Sequence, residues 1–394
     1  MGFVFDVMYT YGRPLSLAFM ILGAAIFWYL GGRTALRDMG RNSTYLLLLN
    51  LYLIVKVSFY GGISIFLQSF FVTIVQICAF VLVVAGYEKV DVANRFKVGF
   101  VPAIMFTYAL LSISVNIFVF WRFPASSMTL LGGRLFGITA NPQHLALQTA
   151  FCLPALLFCV QRYGMSRLIG IVAMILTLAA VWIEYLTGSR MGFAAAVAAI
   201  AIFSLRFFSK RYVAMTIVAI VTVAPIFSLI FYEDVSTVIS ERFIIGREDT
   251  RSEYWAAGIS QFLEYPIFGA EPDPETGRLY FNVSFWISAA ASGGIVGIGF
   301  AIPLFFRMAS CVSKIRSLKR EKLIEDAYGQ MFVGILIIMF WASIFEAAFL
   351  GIFAAHTMIA YVYFSGADAN ISEATLYGRI RRKYWQSRFA RVHP

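Results

Sequence analysis

The chain has 394 residues, of which 60% are hydrophobic and 13% are charged. A soluble domain needs about 25% charged residues to keep its surface in water, so a water-soluble fold is excluded and an all-α polytopic membrane protein is expected. The net charge is +11, yet ten of the 21 acids fall in residues 233–282 against four of the 32 Lys and Arg residues. The remaining basic residues are scattered over short loops, which is the pattern of membrane topology and leaves no clustered face for nucleic acid.

About 20 apolar residues cross the hydrocarbon core as a helix. In chain order the expected spans are 15–30, 44–61, 63–86, 98–121, 143–161, 168–187, 191–208, 212–232, 284–306, 329–350 and 352–365. These eleven make one membrane domain over 1–394. The first run has no convincing small-residue cleavage site after it and is read as a helix that stays. With eleven spans, Arg33/Arg37/Arg41, Lys89/Arg95/Lys97, Arg162/Arg167, Arg206/Lys210/Arg211 and Arg307 to Lys322 all fall on one side. The positive-inside rule makes that side cytoplasmic, with the N-terminus outside. A basic tail over 366–394 joins it there, and the acidic 233–283 segment becomes the one long outer loop. The four cysteines (Cys78, Cys152, Cys159, Cys311) avoid that loop, and no structural disulfide is expected.

Within the loop, Thr250 to Glu264 reads as an amphipathic helix. Thr250 and Glu253 have capping-box spacing, and Trp255, Ile259, Phe262 and Leu263 share a face. Arg247 and Arg251 lie at its start, where a planar guanidinium and free backbone N–H groups both favour an anion. Asp273 and Glu275 lack partner ligands at metal spacing, so no metal is expected.

Charges inside spans cost roughly 2.5–3.5 kcal/mol each near the centre and are functional candidates for that reason. Here Lys56, Glu184, Glu346 and His356 all sit near outer helix ends, and Arg190, Arg122, Arg134 and His144 border the same side. Snorkelling accounts for Lys56 or Arg122 singly. Short carboxylates a turn deep need partners, and the set together is expected to line a polar site open to the outside.

Four segments resemble the O-antigen ligase and O-antigen (exopolysaccharide) polymerase superfamily. They are Gly133-Arg-Leu-Phe-Gly137 with Asn141-Pro142, Leu186-Thr-Gly-Ser-Arg190, Arg251-x-x-x-Trp255 leading to Pro266-Ile-Phe-Gly269, and Gly294-Ile-Val-Gly297. They cover about residues 130–300 in order. The resemblance implies a GT-C-like glycosyltransferase in the inner membrane of a bacterium, with its donor glycan on undecaprenyl diphosphate and no cofactor. It makes Arg190 and Arg251 the diphosphate contacts, and a flippase and a chain-length regulator are partners to look for. The ligases carry a histidine just after the long loop, where this chain has Tyr280-Phe-Asn-Val-Ser-Phe285. That departure favours a polymerase over a ligase; a lipid-linked-oligosaccharide transporter is the reading from another class.

The expected catalytic set is Arg190 and Arg251 for the leaving diphosphate, with Glu184, Glu253 and His144 as general-base candidates. Arg134, Arg247, Asn141, Lys56, Glu346 and His356 complete the site as expected substrate-binding residues.

Overall fold

A computed structural model of the chain describes residues 41–60, 100–129, 133–139, 141–204, 250–272, 284–347, 349–350 and 355–389, with a few isolated positions besides. The span expected at 212–232, nearly all of those at 15–30 and 63–86, and Arg247 lie outside these residues. The described part is helical, with one isolated antiparallel bridge between Met128 and Leu135.

Among the described residues ten helices follow in chain order: α1 (Arg41–Tyr60), α2 (Phe100–Arg122), α3 (Pro124–Ser127), α4 (Pro142–Tyr163), α5 (Leu168–Thr187), α6 (Arg190–Ser204), α7 (Thr250–Glu264), α8 (Phe285–Arg320), α9 (Asp326–Phe345) and α10 (Ala355–Phe389). Five of them, α2, α4, α5, α8 and α9, are long and apolar enough to cross a membrane, and α1 and α6 add shorter apolar helices. This is a helical membrane protein. Each of these seven overlaps an expected span. Helix α10 runs unbroken from Ala355 to Phe389 across the expected boundary between last span and tail.

Helix α4 is the central post. It packs against α2, α5, α6, α9 and α10, and 78% of its most apolar stretch is buried within the protein. Phe151, Leu153, Leu156, Phe158 and Cys159 fill that core. The outward faces remain apolar: Trp121, Leu168, Ile175, Leu178 and Phe306 are exposed. Apolar residues turned both inward and outward are what a helix between protein and hydrocarbon requires.

Two ends of the bundle are distinguishable by their ties. At one end Arg162 of α4 pairs with Glu325 at 3.4 Å, and Lys319 of α8 with Asp326 of α9 at 3.5 Å. At the other, the Phe285 N–H that opens α8 donates to the Glu346 carbonyl that closes α9 (3.1 Å). The Leu135 N–H there donates to the Leu186 carbonyl near the end of α5 (2.9 Å). That second end carries the site.

Candidate active site

The corner between α5 and α6 is built by its sequence. Gly188 ends α5 in the left-handed conformation (φ 58°), which glycine adopts without steric cost. Ser189 then opens α6, its Oγ accepting the Gly192 N–H at 3.2 Å. Thr187 bridges the two, its hydroxyl donating to the Glu184 carbonyl (2.7 Å) and accepting the Ser189 N–H (3.3 Å). Arg190 is the first residue of α6 and is exposed at this corner.

Arg134 reaches the same corner from the loop before α4. Its Nε donates to the Thr187 carbonyl at 2.7 Å, and its side chain lies over Gly188, where an added Cβ would sit 3.4 Å from Nε. The loop is fixed in turn by Asn116 of α2, whose Oδ1 accepts the Ile138 N–H at 3.0 Å. Gly137 (φ 56°) leaves room for that amide, since a Cβ there would collide with it. Asn141 caps α4 by accepting the Gln143 N–H (2.8 Å), with Pro142 at the first helical position. Cap and proline are the usual start of a helix, so the Asn-Pro pair positions α4 and the loop before it.

Arg251 enters from α7. Its Nη2 donates to Glu346 Oε1 at 3.0 Å, and its guanidinium lies 5.9 Å from the centre of the Phe345 ring. The Glu346 side chain is 8% exposed and that of Arg251 26%. The structure therefore pairs Arg251 with a buried carboxylate, at the end of the bundle whose corner presents Arg134 and Arg190.

Other expected residues take different places. His144, in the first turn of α4, faces His356 at the start of α10, with ring centres 5.0 Å apart. His356 is buried, and its Nδ1 finds no partner among the described residues. Glu184 is 0% exposed, and neither carboxylate oxygen has a partner among the described residues. It lies between α4 and α6, where a Cβ on Gly192 would clash with Oε2 and with Ala146. Its side chain is enclosed, while its backbone carbonyl accepts the hydroxyl of Thr187, the residue that also holds Arg134. Glu253 is exposed on α7. Lys56 points its ammonium at backbone carbonyls of the protein itself, at 2.6–2.9 Å.

No family model matches the chain, and no curated protein matches it.

Chemically, the Arg251–Glu346 pair together with Arg134 and Arg190 at the corner leaves this end of the bundle with positive charge in excess. Glu346 holds Arg251 in place. A ligand with two or more negative charges and a suitable spread of oxygens can take over those donors, because the guanidinium fork fits phosphate as it fits carboxylate. Sequence reasoning placed Arg134, Arg251 and Glu346 at one outer site and missed the direct pairing of Arg251 with Glu346. Glu346 is 95 positions from Arg251, and no spacing signal covers that distance. It also missed Asn116 and Thr187, whose signals are a lone amide in an apolar run and the residue before a helix-ending glycine.

Proposed function

We propose that this chain is a polymerase that joins undecaprenyl-diphosphate-linked repeat units on the periplasmic face of a bacterial inner membrane. It works as an eleven-span GT-C-like glycosyltransferase with its C-terminus in the cytoplasm. The observation that carries the reading is the pairing of Arg251 with the buried Glu346, at the end of the bundle where Arg134 reaches the Thr-Gly-Ser-Arg corner. It supplies cationic donors at one end of a membrane bundle, where the diphosphate of a polyprenyl donor lies.

The reaction needs one bond made and one broken. The terminal hydroxyl of one lipid-linked repeat attacks the anomeric carbon of the glycan on another. The bond from that carbon to the diphosphate oxygen breaks, and the electron pair leaves with the diphosphate. Arg251, Arg134 and Arg190 stabilise the charge as it develops there. One such preorganised donor is worth about 10²–10³ in rate. The hydroxyl proton goes to a base; His144 and Glu253 remain the candidates, and Glu346, once released from Arg251, joins them.

The test uses purified protein and a lipid-linked repeat. Wild-type protein makes a ladder of longer lipid-linked chains, and Arg251→Ala or Arg134→Ala lowers that rate by about 10²-fold or more while folded protein is retained. Unchanged ladders from both variants remove the arginines from the mechanism. In cells, loss of a polymerase accumulates single repeats, whereas loss of a ligase acting on lipid A core or another acceptor accumulates long lipid-linked chains. Donor that crosses the bilayer without chain growth identifies a transporter.

A further inference from the structure

Helix α8 is not continuous. Gly294 has φ 59° and ψ −153°, which divides it into a short outer half ending at Gly293 and a long inner half. A break in a membrane helix frees backbone groups that lipid cannot satisfy. Here the Pro266–Ala270 turn after α7 satisfies them. The Ala270 N–H donates to Ala291 O (2.7 Å), and the Ile295 N–H to Pro266 O (2.8 Å). The approach is close enough to require glycine on both sides. A Cβ on Gly269 would stand 2.4 Å from Ser292 C, and one on Gly294 2.3 Å from Ile267 O.

Lys56 of α1 ends in this junction. Its Nζ lies 2.7 Å from Phe268 O, 2.8 Å from Gly269 O, 2.6 Å from Ala270 O and 2.9 Å from Ser292 O. The residue is 8% exposed. An ammonium has three hydrogens, so four oxygens within 3 Å form a shell around a point charge rather than a set of three matched bonds. Unwound carbonyls and the C-terminal end of a half-helix are the groups that hold small cations in discontinuous membrane helices.

We propose that Lys56 is a tethered monovalent cation in a carbonyl cage, and that the cage accepts a free primary ammonium ion when the side chain is cut back. The cage fixes the end of α7 against α8, while Arg251 fixes the start of α7 to Glu346. Lys56 is thus a positioning residue for α7, whatever the reaction at the arginines.

The experiment is thermal unfolding of the detergent-purified full chain with Lys56→Ala. The variant is expected to melt roughly 5 °C or more below the wild type. Methylammonium is expected to raise it again in a concentration-dependent way, with no effect of tetramethylammonium at the same ionic strength and none of either salt on the wild type. An unshifted variant, or equal responses to the two ions, overturns the proposal. If Lys56→Ala yields no folded protein, acetylation of the wild-type chain with an amine-reactive ester decides. Lys56 is expected to stay unmodified while Lys314 and Lys322 react, and acetylation of Lys56 to the same extent overturns the cage.

Discussion

Glu346 holds two opposed properties at one position. Its pairing with Arg251 at 3.0 Å keeps the guanidinium oriented in a partly buried setting. The same pairing competes with any anion that needs that guanidinium. Neutralising it separates the two effects. In Glu346→Gln the hydrogen-bonding shape survives but the charge does not, so an anionic competitor meets less resistance. Inorganic pyrophosphate is expected to bind the variant more tightly than the wild type, by up to about tenfold, the equivalent of roughly 1.4 kcal/mol. That scale follows from a pair whose arginine is a quarter exposed, where solvent screening keeps a single ion pair near 1 kcal/mol. Equal affinity in isothermal titration for both proteins would separate Glu346 from the anion site.

The elements show where local sequence decides structure and where it does not. Spans α2, α4, α5, α8 and α9 were readable because long apolar runs have few other solutions. The amphipathic α7 was readable from its spacing, and its expected limits of 250 and 264 match. Its packing was not. Trp255 and Phe262 are partly covered, while Ile259 and Leu263 from the same expected face are exposed, with Ile267 and Phe268 beyond them. One face therefore serves both the bundle and the lipid surface, and a period of 3.6 cannot divide it. The break in α8 was missed because Gly293 and Gly294 sit in a run apolar enough to pass as one helix. Its cause is tertiary, the approach of Pro266–Ala270. Two glycines in this helix test that account. Gly294→Ala places a Cβ against Ile267 O in a left-handed backbone, and should cost about 1–3 kcal/mol or more. Gly299→Ala meets nothing within 4 Å and, in a helix interior, should be neutral or stabilise by roughly 0.5–1 kcal/mol. Melting temperatures in detergent give the comparison, and equal effects at the two positions would mean that α8 is unbroken.

Over the whole molecule, the two ends of the bundle differ in composition as well as in ties. One end gathers Arg162, Arg167, Lys319, Arg320 and Lys322, and the other gathers Lys56, Arg134, Arg190, Arg251 and Glu346. This sorting follows from alternate helices running in opposite directions, so the charge pattern read along the chain becomes a difference between two surfaces. It was legible in the sequence because Lys and Arg in short loops mark one side of a membrane. The direct pairing of Arg251 with Glu346 was not, since two helix ends 95 positions apart had to be placed in space first. The sorting carries a direct consequence for labelling. Single cysteines at Leu263 and at Lys314, placed in a chain whose own four cysteines are replaced by serine or alanine, should react with a membrane-impermeant maleimide from opposite faces of sealed vesicles. Position 263 is on the arginine side and exposed, whereas position 314 lies in the basic final turns of α8. In right-side-out bacterial spheroplasts, position 263 should label at once and position 314 only after lysis. Labelling of both before lysis would place the two ends on one side, and the periplasmic reading of the arginine site would fall with it.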